Sequence, residues 1–140
     1  MENGIDRVED GWEVRSMRGV GVGEVIVGNT MRLHIGSNGI EVRGPAELTA
    51  DGKTYLVDAS ARINLEWVPK LLDQVIAEVH AADSGVLTVR FASGWRLDVP
   101  VVPGGPGWTV ALRGRCFLSS VPGGGSAPST ARRSNSSFSP

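Results

Sequence analysis

The chain has 140 residues, 41% of them hydrophobic and 21% charged, with a formal net charge of −1; that composition supports one packed core and excludes wholesale disorder. Near-neutrality argues against nucleic acid as a partner, because phosphate binding draws on surplus Lys and Arg. No apolar run approaches the roughly 18–20 residues of a membrane span, and with five acids in the first twenty residues there is no apolar core of a signal peptide.

The expectation is therefore a soluble, cytoplasmic domain without membrane contact. Cys116 is the only cysteine, which excludes an intramolecular disulfide, and together with His34 and His80 it is too small a set for a structural zinc site. Charge is unevenly spread. Up to Asp98 there are fifteen acids and ten basic residues, and beyond it four arginines and no acid.

In chain order, residues 1–18 read as a polar N-terminal arm in which Glu9-Asp10 is solvated. Val20, Val22, Val25 and Val27 then mark one or two strands interrupted by Gly21 and Gly23, and glycine inside a strand points to a bulge or a close backbone approach. Met31, Leu33 and Ile35 alternate with Arg32 and His34, Gly36-Ser37-Asn38-Gly39 turns, and Ile40 and Val42 alternate with Glu41 and Arg43 as far as Gly44-Pro45; this is a hairpin pattern. Asp51-Gly52 joins Ala46–Thr49 to Thr54–Val57 as a second hairpin.

Leu65, Val68, Leu71, Leu72, Val75, Ile76 and Val79 fall at helical spacing, with Asn64 as a candidate N-cap. Periodicity alone runs this helix to His80, yet Val75, Ala77, Val79 and Ala81 also alternate as a strand would. A hairpin then recurs: Leu87, Val89 and Phe91 precede the turn Ala92-Ser93-Gly94, and Trp95, Leu97 and Val99 follow it. Set against the earlier hairpin, the apolar positions match at an offset of 56 before the turn and 55 after it, a modest sign of internal duplication. Trp108, Val110 and Leu112 form a last pair with Cys116–Ser120. From Ser119 to Pro140, fourteen of twenty-two residues are Ser, Gly or Pro, so residues 123–140 read as a disordered tail.

Gly19 with the valines to Val27, Met31–Gly44-Pro45, Asp51-Gly52, Leu71-Leu72, Gly85–Phe91, Gly94, Trp95–Pro100, Trp108–Leu112 with Gly114, and Pro122-Gly123-Gly124 together resemble, in order and spacing, a family of small, mostly actinobacterial proteins of unknown function. The resemblance implies a short helix over Asn64–Asp73, a strand from about Val75, and no activity to carry over. Past Pro122-Gly123-Gly124 the family continues with an apolar stretch, whereas Gly125 here leads into Ser, Pro and Arg; that leaves the final sheet edge open to pairing. The fold class expected is α+β, mainly β, with a single β-rich domain over residues 19–122. It is an antiparallel sheet or partial barrel built from two similar hairpin units joined by one short helix.

Chemical motifs are mostly absent. Glu24 and Ile26 stand where a dinucleotide fingerprint beginning at Gly19 or Gly21 requires its last glycine. Gly52-Lys53-Thr54 copies the end of a phosphate-binding loop, but Glu47 occupies its first glycine position. Cys116, beside Phe117 and Leu118, reads as a strand residue of the core, and a Cys116–His80–Asp83 grouping is the weaker reading. His34 reads as a surface residue, and Trp95 and Trp108 as core, or as pocket lining in a partial barrel. No catalytic, cofactor-binding or metal residue is assigned, and no cofactor is expected.

Two functions follow. The leading one is a non-enzymatic interaction module acting through a sheet face or edge on another protein. The alternative is a small-ligand-binding, β-barrel-like protein, with or without weak enzymatic activity. A pocket above about 300 Å³ with converging polar groups favours the ligand reading; a closed core with an apolar exposed edge favours the module.

Overall fold

Met31, Leu33 and Ile35 turn inward while Arg32 and His34 face solvent, the pattern of a strand with one face on a core. The computed structural model describes residues 4–101, 107–113, 116–120 and 126–130. Among these residues the strands are β1 (Ile5–Val8), β2 (Gly11–Val14), β3 (Val22–Val27), β4 (Met31–Ile35), β5 (Asn38–Val42), β6 (Ala46–Ala50), β7 (Lys53–Val57), β8 (Ile76–Ala82), β9 (Leu87–Phe91), β10 (Arg96–Val99), β11 (Trp108–Leu112), β12 (Cys116–Ser120) and β13 (Ser126–Thr130). Seven form one antiparallel sheet in the order β1-β2-β8-β9-β10-β6-β7, and six form another in the order β13-β12-β11-β5-β4-β3. Their inward side chains, among them Leu33, Ile40, Leu48, Val89, Leu97 and Val110, make one apolar cluster. The arrangement is a two-layered, mainly β fold, not a closed barrel. Buried Trp108 on β11 ties the layers together, its Nε1 donating to the Gly85 carbonyl in the β8–β9 turn at 2.8 Å.

The two hairpin units correspond residue by residue. Gly21 bridges Val75, 54 positions on, and the hydrogen bonds around that bridge come in exchanging pairs. Val22 N–H donates to Gln74 O and Ile76 N–H to Val20 O, both at 2.9 Å; Gly19 N–H donates to Ile76 O and Asp73 N–H to Val22 O, both at 2.8 Å. A local twofold axis therefore passes between Gly21 and Val75. It carries β3, β4 and β5 onto β8, β9 and β10, and the bulge at Gly23 onto one at Ala77. It also carries the 3-10 turn Arg15–Met17 onto Pro69–Leu71, and Gly19, at φ +81°, onto Asp73, at φ +70°.

The correspondence after the hairpin turn differs from the one that alternation suggests. Leu33 pairs with Ile40 and Val89 with Leu97, so the offset grows to 57 instead of shrinking to 55. The loop Ala92-Ser93-Gly94, closed by Gly94 at φ +99°, is one residue longer than Gly36-Ser37, and Trp95 precedes β10 instead of opening it. The hairpin that follows each unit crosses to the other layer. β6–β7 pairs onto β10, and β11–β12 onto β5.

The short helix expected over Asn64–Asp73 consists of two successive 3-10 turns, Leu65–Trp67 and Pro69–Leu71. Asn64 adopts a left-handed conformation and makes no side-chain cap; its Nδ2 donates to the Leu56 carbonyl at 2.7 Å. Leu72 is extended and Asp73 has positive φ, so a helix continuing to His80 is overturned. β8 buries Ile76, Val79 and Ala81 instead. Within residues 1–18, expected as an arm, β1 and β2 join the larger sheet and Val14 and Met17 are buried. Of the tail expected over 123–140, Ser126–Thr130 pairs with β12 as a last edge strand; positions 123–125 and 131–140 lie outside the described residues. No described helix is long and apolar enough to cross a membrane.

Candidate functional site

On β2, β8 and β9 the residues between the buried ones face away from the core. Glu13 lies opposite His80, Glu78 opposite Arg90, and His80 opposite Thr88. Together with Val8, Glu9 and Asp10 from the first hairpin, they line an open depression of about 370 Å³ on the outer face of the seven-stranded sheet. His80 Nδ1 lies 3.0 Å from Glu13 Oε2 and its Nε2 lies 3.3 Å from Asp10 Oδ1. Ligand atoms of Glu13, Glu78 and His80 all lie within 4.8 Å of one another. The side chains of Glu13 and His80 are only 16% and 20% exposed, so this polar group is sheltered. Two guanidiniums approach it: Arg90 Nε is 3.3 Å from Glu78 Oε1, and Arg18 reaches Glu13 at 4.0 Å.

Burial, followed by a hydrogen bond with Glu78, raises the Glu13 carboxyl above its ordinary range, and His80 opposes that rise. Two carboxyls held this close disfavour joint ionisation. Asp83 is placed differently. Arg7 clasps it with two bonds of 2.7 and 2.8 Å, and that contact holds the Asp83 carboxyl below its usual range. The clasp fastens β1 to the β8–β9 turn.

The other outer face carries a smaller depression of about 260 Å³, lined by Arg32, His34, Glu41, Arg43, Thr109 and the small residues Gly39 and Ala111, among others. His34 is there, as expected for a surface residue, 3.1 Å from Glu24. Trp95 joins Trp67 and Tyr55 in a half-buried cluster. Tyr55 and Trp67 stack at 4.3 Å, Trp95 meets Trp67 edge-on at 5.8 Å, and Lys70 Nζ lies 5.6 Å from the Trp67 ring. Trp67 is thus already engaged by three neighbours, which suits a structural cover better than a stacking platform for a ligand.

The remaining sequence candidates are not brought together into a site. Gly21 and Gly23 belong to the twofold bridge and the β3 bulge, and Gly52-Lys53 to the β6–β7 turn and strand. Cys116 is on β12 of the six-stranded sheet, whereas His80 is on β8 of the seven-stranded one. His80 contacts Glu13 and Asp10, and Asp83 contacts Arg7. Glu13 and Glu78 were not legible as candidates, because their meeting depends on β2 pairing with β8.

The strand edges form a second kind of candidate. β1 carries Asp6 and Arg7, β7 carries Lys53 and β13 carries Pro128, and charges and proline are what keep sheet edges from adventitious pairing. β3, with the sequence Val22-Gly23-Glu24-Val25-Ile26-Val27, has no Lys, Arg or Pro; its one charged residue, Glu24, pairs with His34 on β4 at 3.1 Å, which leaves Val25-Ile26-Val27 without a charge. Its Val27 is 38% exposed. On the side away from β4, no backbone bond to β3 beyond Val22 is found among the described residues. Next to it, Arg62 Nη1 donates to the Gly28 carbonyl at 3.1 Å.

A model of the family of unknown function DUF6188 matches residues 13–127. The chain belongs to that family. The match takes in both twofold-related units and Glu13, Glu78 and His80, while β1 and Asp10 precede it. Neither the curated proteins nor the solved structures yield a match.

Proposed function

We propose that the chain is a non-enzymatic interaction module whose β3 edge takes up an extended, apolar segment of a partner protein as an added antiparallel strand. The observation that carries this is the contrast between the two twofold-related edges. The edge of β8 is covered by β2, with Gly11, Trp12 and Glu13 opposite Ala82, Ala81 and His80. The twins of those last three residues are Gly28, Val27 and Ile26, and among the described residues no strand lies against them. The chain that stands before Pro69–Leu71, as β2 stands before Arg15–Met17, is the turn Leu65–Trp67. Arg62 and Asn64 at φ +60° and +54°, followed by Pro69, keep it from running as a strand.

Strand addition of this kind draws affinity from main-chain hydrogen bonds and selectivity from alternate side chains. Ile26 and Val27 call for an apolar, β-branched segment opposite them. The test is a displayed library of linear peptides selected on the full chain, followed by amide exchange of the complex. Selected peptides should alternate apolar residues, protect amides across Glu24–Gly28, and lose binding to Val27→Lys. Selection of peptides that bind Val27→Lys equally well, or protection located elsewhere, refutes the reading.

A second reading has its own support. The depression over Glu13, Glu78 and His80 has the volume and the converging polar groups expected of a small-ligand site, although it is open and lies outside the core.

A further inference from the structure

Glu13, Glu78 and His80 offer a mixed donor set: one imidazole nitrogen and two carboxylate oxygens. Such sets suit zinc and its first-row neighbours better than magnesium or calcium, which favour oxygen alone. We propose that these three side chains bind a divalent cation of the zinc type on the seam between β2 and β8. This rests on the small-ligand reading of the depression and is independent of the β3 edge.

The geometry supports it in three ways. First, the donors come from rigid strand positions: Glu13 and His80 are cross-strand partners, and Glu78 precedes His80 by two residues on the same face of β8. Their ligand atoms lie within 4.8 Å of one another. Tetrahedral zinc, with bonds near 2.0–2.1 Å, needs donors roughly 3.3–3.5 Å apart, a distance that small rotations of the two Glu side chains reach. Second, the imidazole is oriented as a ligand would be. Its Nδ1 faces Glu13 at 3.0 Å, while its Nε2 faces the Asp10 carboxylate at 3.3 Å; a carboxylate on the far nitrogen fixes the tautomer and the ring orientation. Third, the depression of about 370 Å³ above the three side chains gives an entry path and room for water to complete the coordination. Arg90 and Arg18 each approach an Oε1 atom, that of Glu78 and that of Glu13 respectively, while the imidazole faces Glu13 Oε2.

The test titrates the EDTA-treated full chain with zinc chloride by calorimetry, with magnesium chloride as a parallel arm. One equivalent of zinc should bind and magnesium should not. His80→Ala and Glu78→Gln should each weaken zinc at least about tenfold, as should Asp10→Asn acting through the imidazole. His34→Ala removes the only other histidine and should leave binding unchanged. Nitrogen shifts of the wild-type His80 ring, moving at Nδ1 on zinc addition, provide a readout that needs no variant. Zinc that binds equally to the wild type and to Glu78→Gln and His80→Ala, binding lost in His34→Ala, binding of magnesium in preference, or no binding at about 100 μM zinc would each overturn the assignment.

Discussion

Gly11 seats the first hairpin closely against β8. A Cβ built on it would overlap the Ala81 carbonyl oxygen and lie 2.8 Å from Ala82 Cα and 3.0 Å from Ala81 C. All three are backbone atoms, so no rotamer change relieves the contact. Gly11→Ala must therefore lift β2 from β8, loosening the pairs Gly11–Ala82, Trp12–Ala81 and Glu13–His80. Overpacking of this kind costs about 1–3 kcal/mol, and the lower entropy of alanine in the unfolded chain returns about 0.4–1 kcal/mol. The net loss should be about 1–2 kcal/mol, or a few degrees in Tm for a domain of this size. Gly23→Ala is the control. Its nearest neighbour to a new Cβ is His34 O at 3.9 Å, its twin on β8 is already Ala77, and it should be neutral or slightly stabilising. Urea melts measure both, and amide exchange in β2 reports where the damage falls. If Gly11→Ala is as stable as Gly23→Ala and β2 keeps its protection, the close seating of the hairpin is wrong.

Leu33→Ala should cost about 2–5 kcal/mol, because the side chain is fully buried; Arg32→Ala, on the exposed face, should stay within about 0.5 kcal/mol in the same melts. Trp108→Phe should lose about 1–3 kcal/mol, since the buried Gly85 carbonyl loses its indole donor; a loss below about 0.5 kcal/mol would mean that water replaces the donor. The raised Glu13 carboxyl sets a pH dependence. Its folded form holds the proton more tightly than the unfolded chain, so its contribution is complete below the usual carboxylate range and is lost as pH rises through the raised value. In EDTA, wild-type stability should therefore fall relative to Glu13→Gln from about pH 4.5 upward, and a difference that stays flat with pH would contradict the assignment.

The period-two segments were the legible part of the fold. Met31–Ile35 and Leu87–Phe91 alternate strictly, and each strand sits one face on the core as that pattern requires. Gly23 announced its bulge, because a strand tolerates glycine where its register shifts. The duplication was visible at Leu33 and Val89 but slipped by two residues after the turn, since alternation repeats every second residue and cannot fix a loop length. Leu65–Val79 imitated a helix because Val68 and Leu71 plug the core from 3-10 turns while Ile76 and Val79 plug it from a strand. The exchange of hairpins between layers left no local trace: nothing in Ala46–Ala50 distinguishes β10 from β5 as its neighbour. For the same reason Glu13 and His80, 67 positions apart, could not be joined. Residues 1–18 read as a polar arm because their apolar positions are few and scattered among charges, and nothing in Trp12-Glu13-Val14 names β8 as its neighbour.

The exchange of hairpins bears on how the chain is made. A ribosome delivers β5 and β6 close together in time, yet neither finds its neighbour in the other. β6 waits for β10, and β5 waits for β11, which begins 66 positions after Val42 at Trp108. β6 can be covered once Arg96–Val99 is out, but until Trp108–Leu112 has left the exit tunnel β5 presents a raw, apolar-backed edge and the six-stranded layer stays incomplete. Such distant pairings slow folding, because a long loop must close before any contact rewards it. Emergence of the last forty residues therefore completes the six-stranded layer, and a stalled chain ending near Pro100 should be a substrate for chaperones instead of a folded fragment.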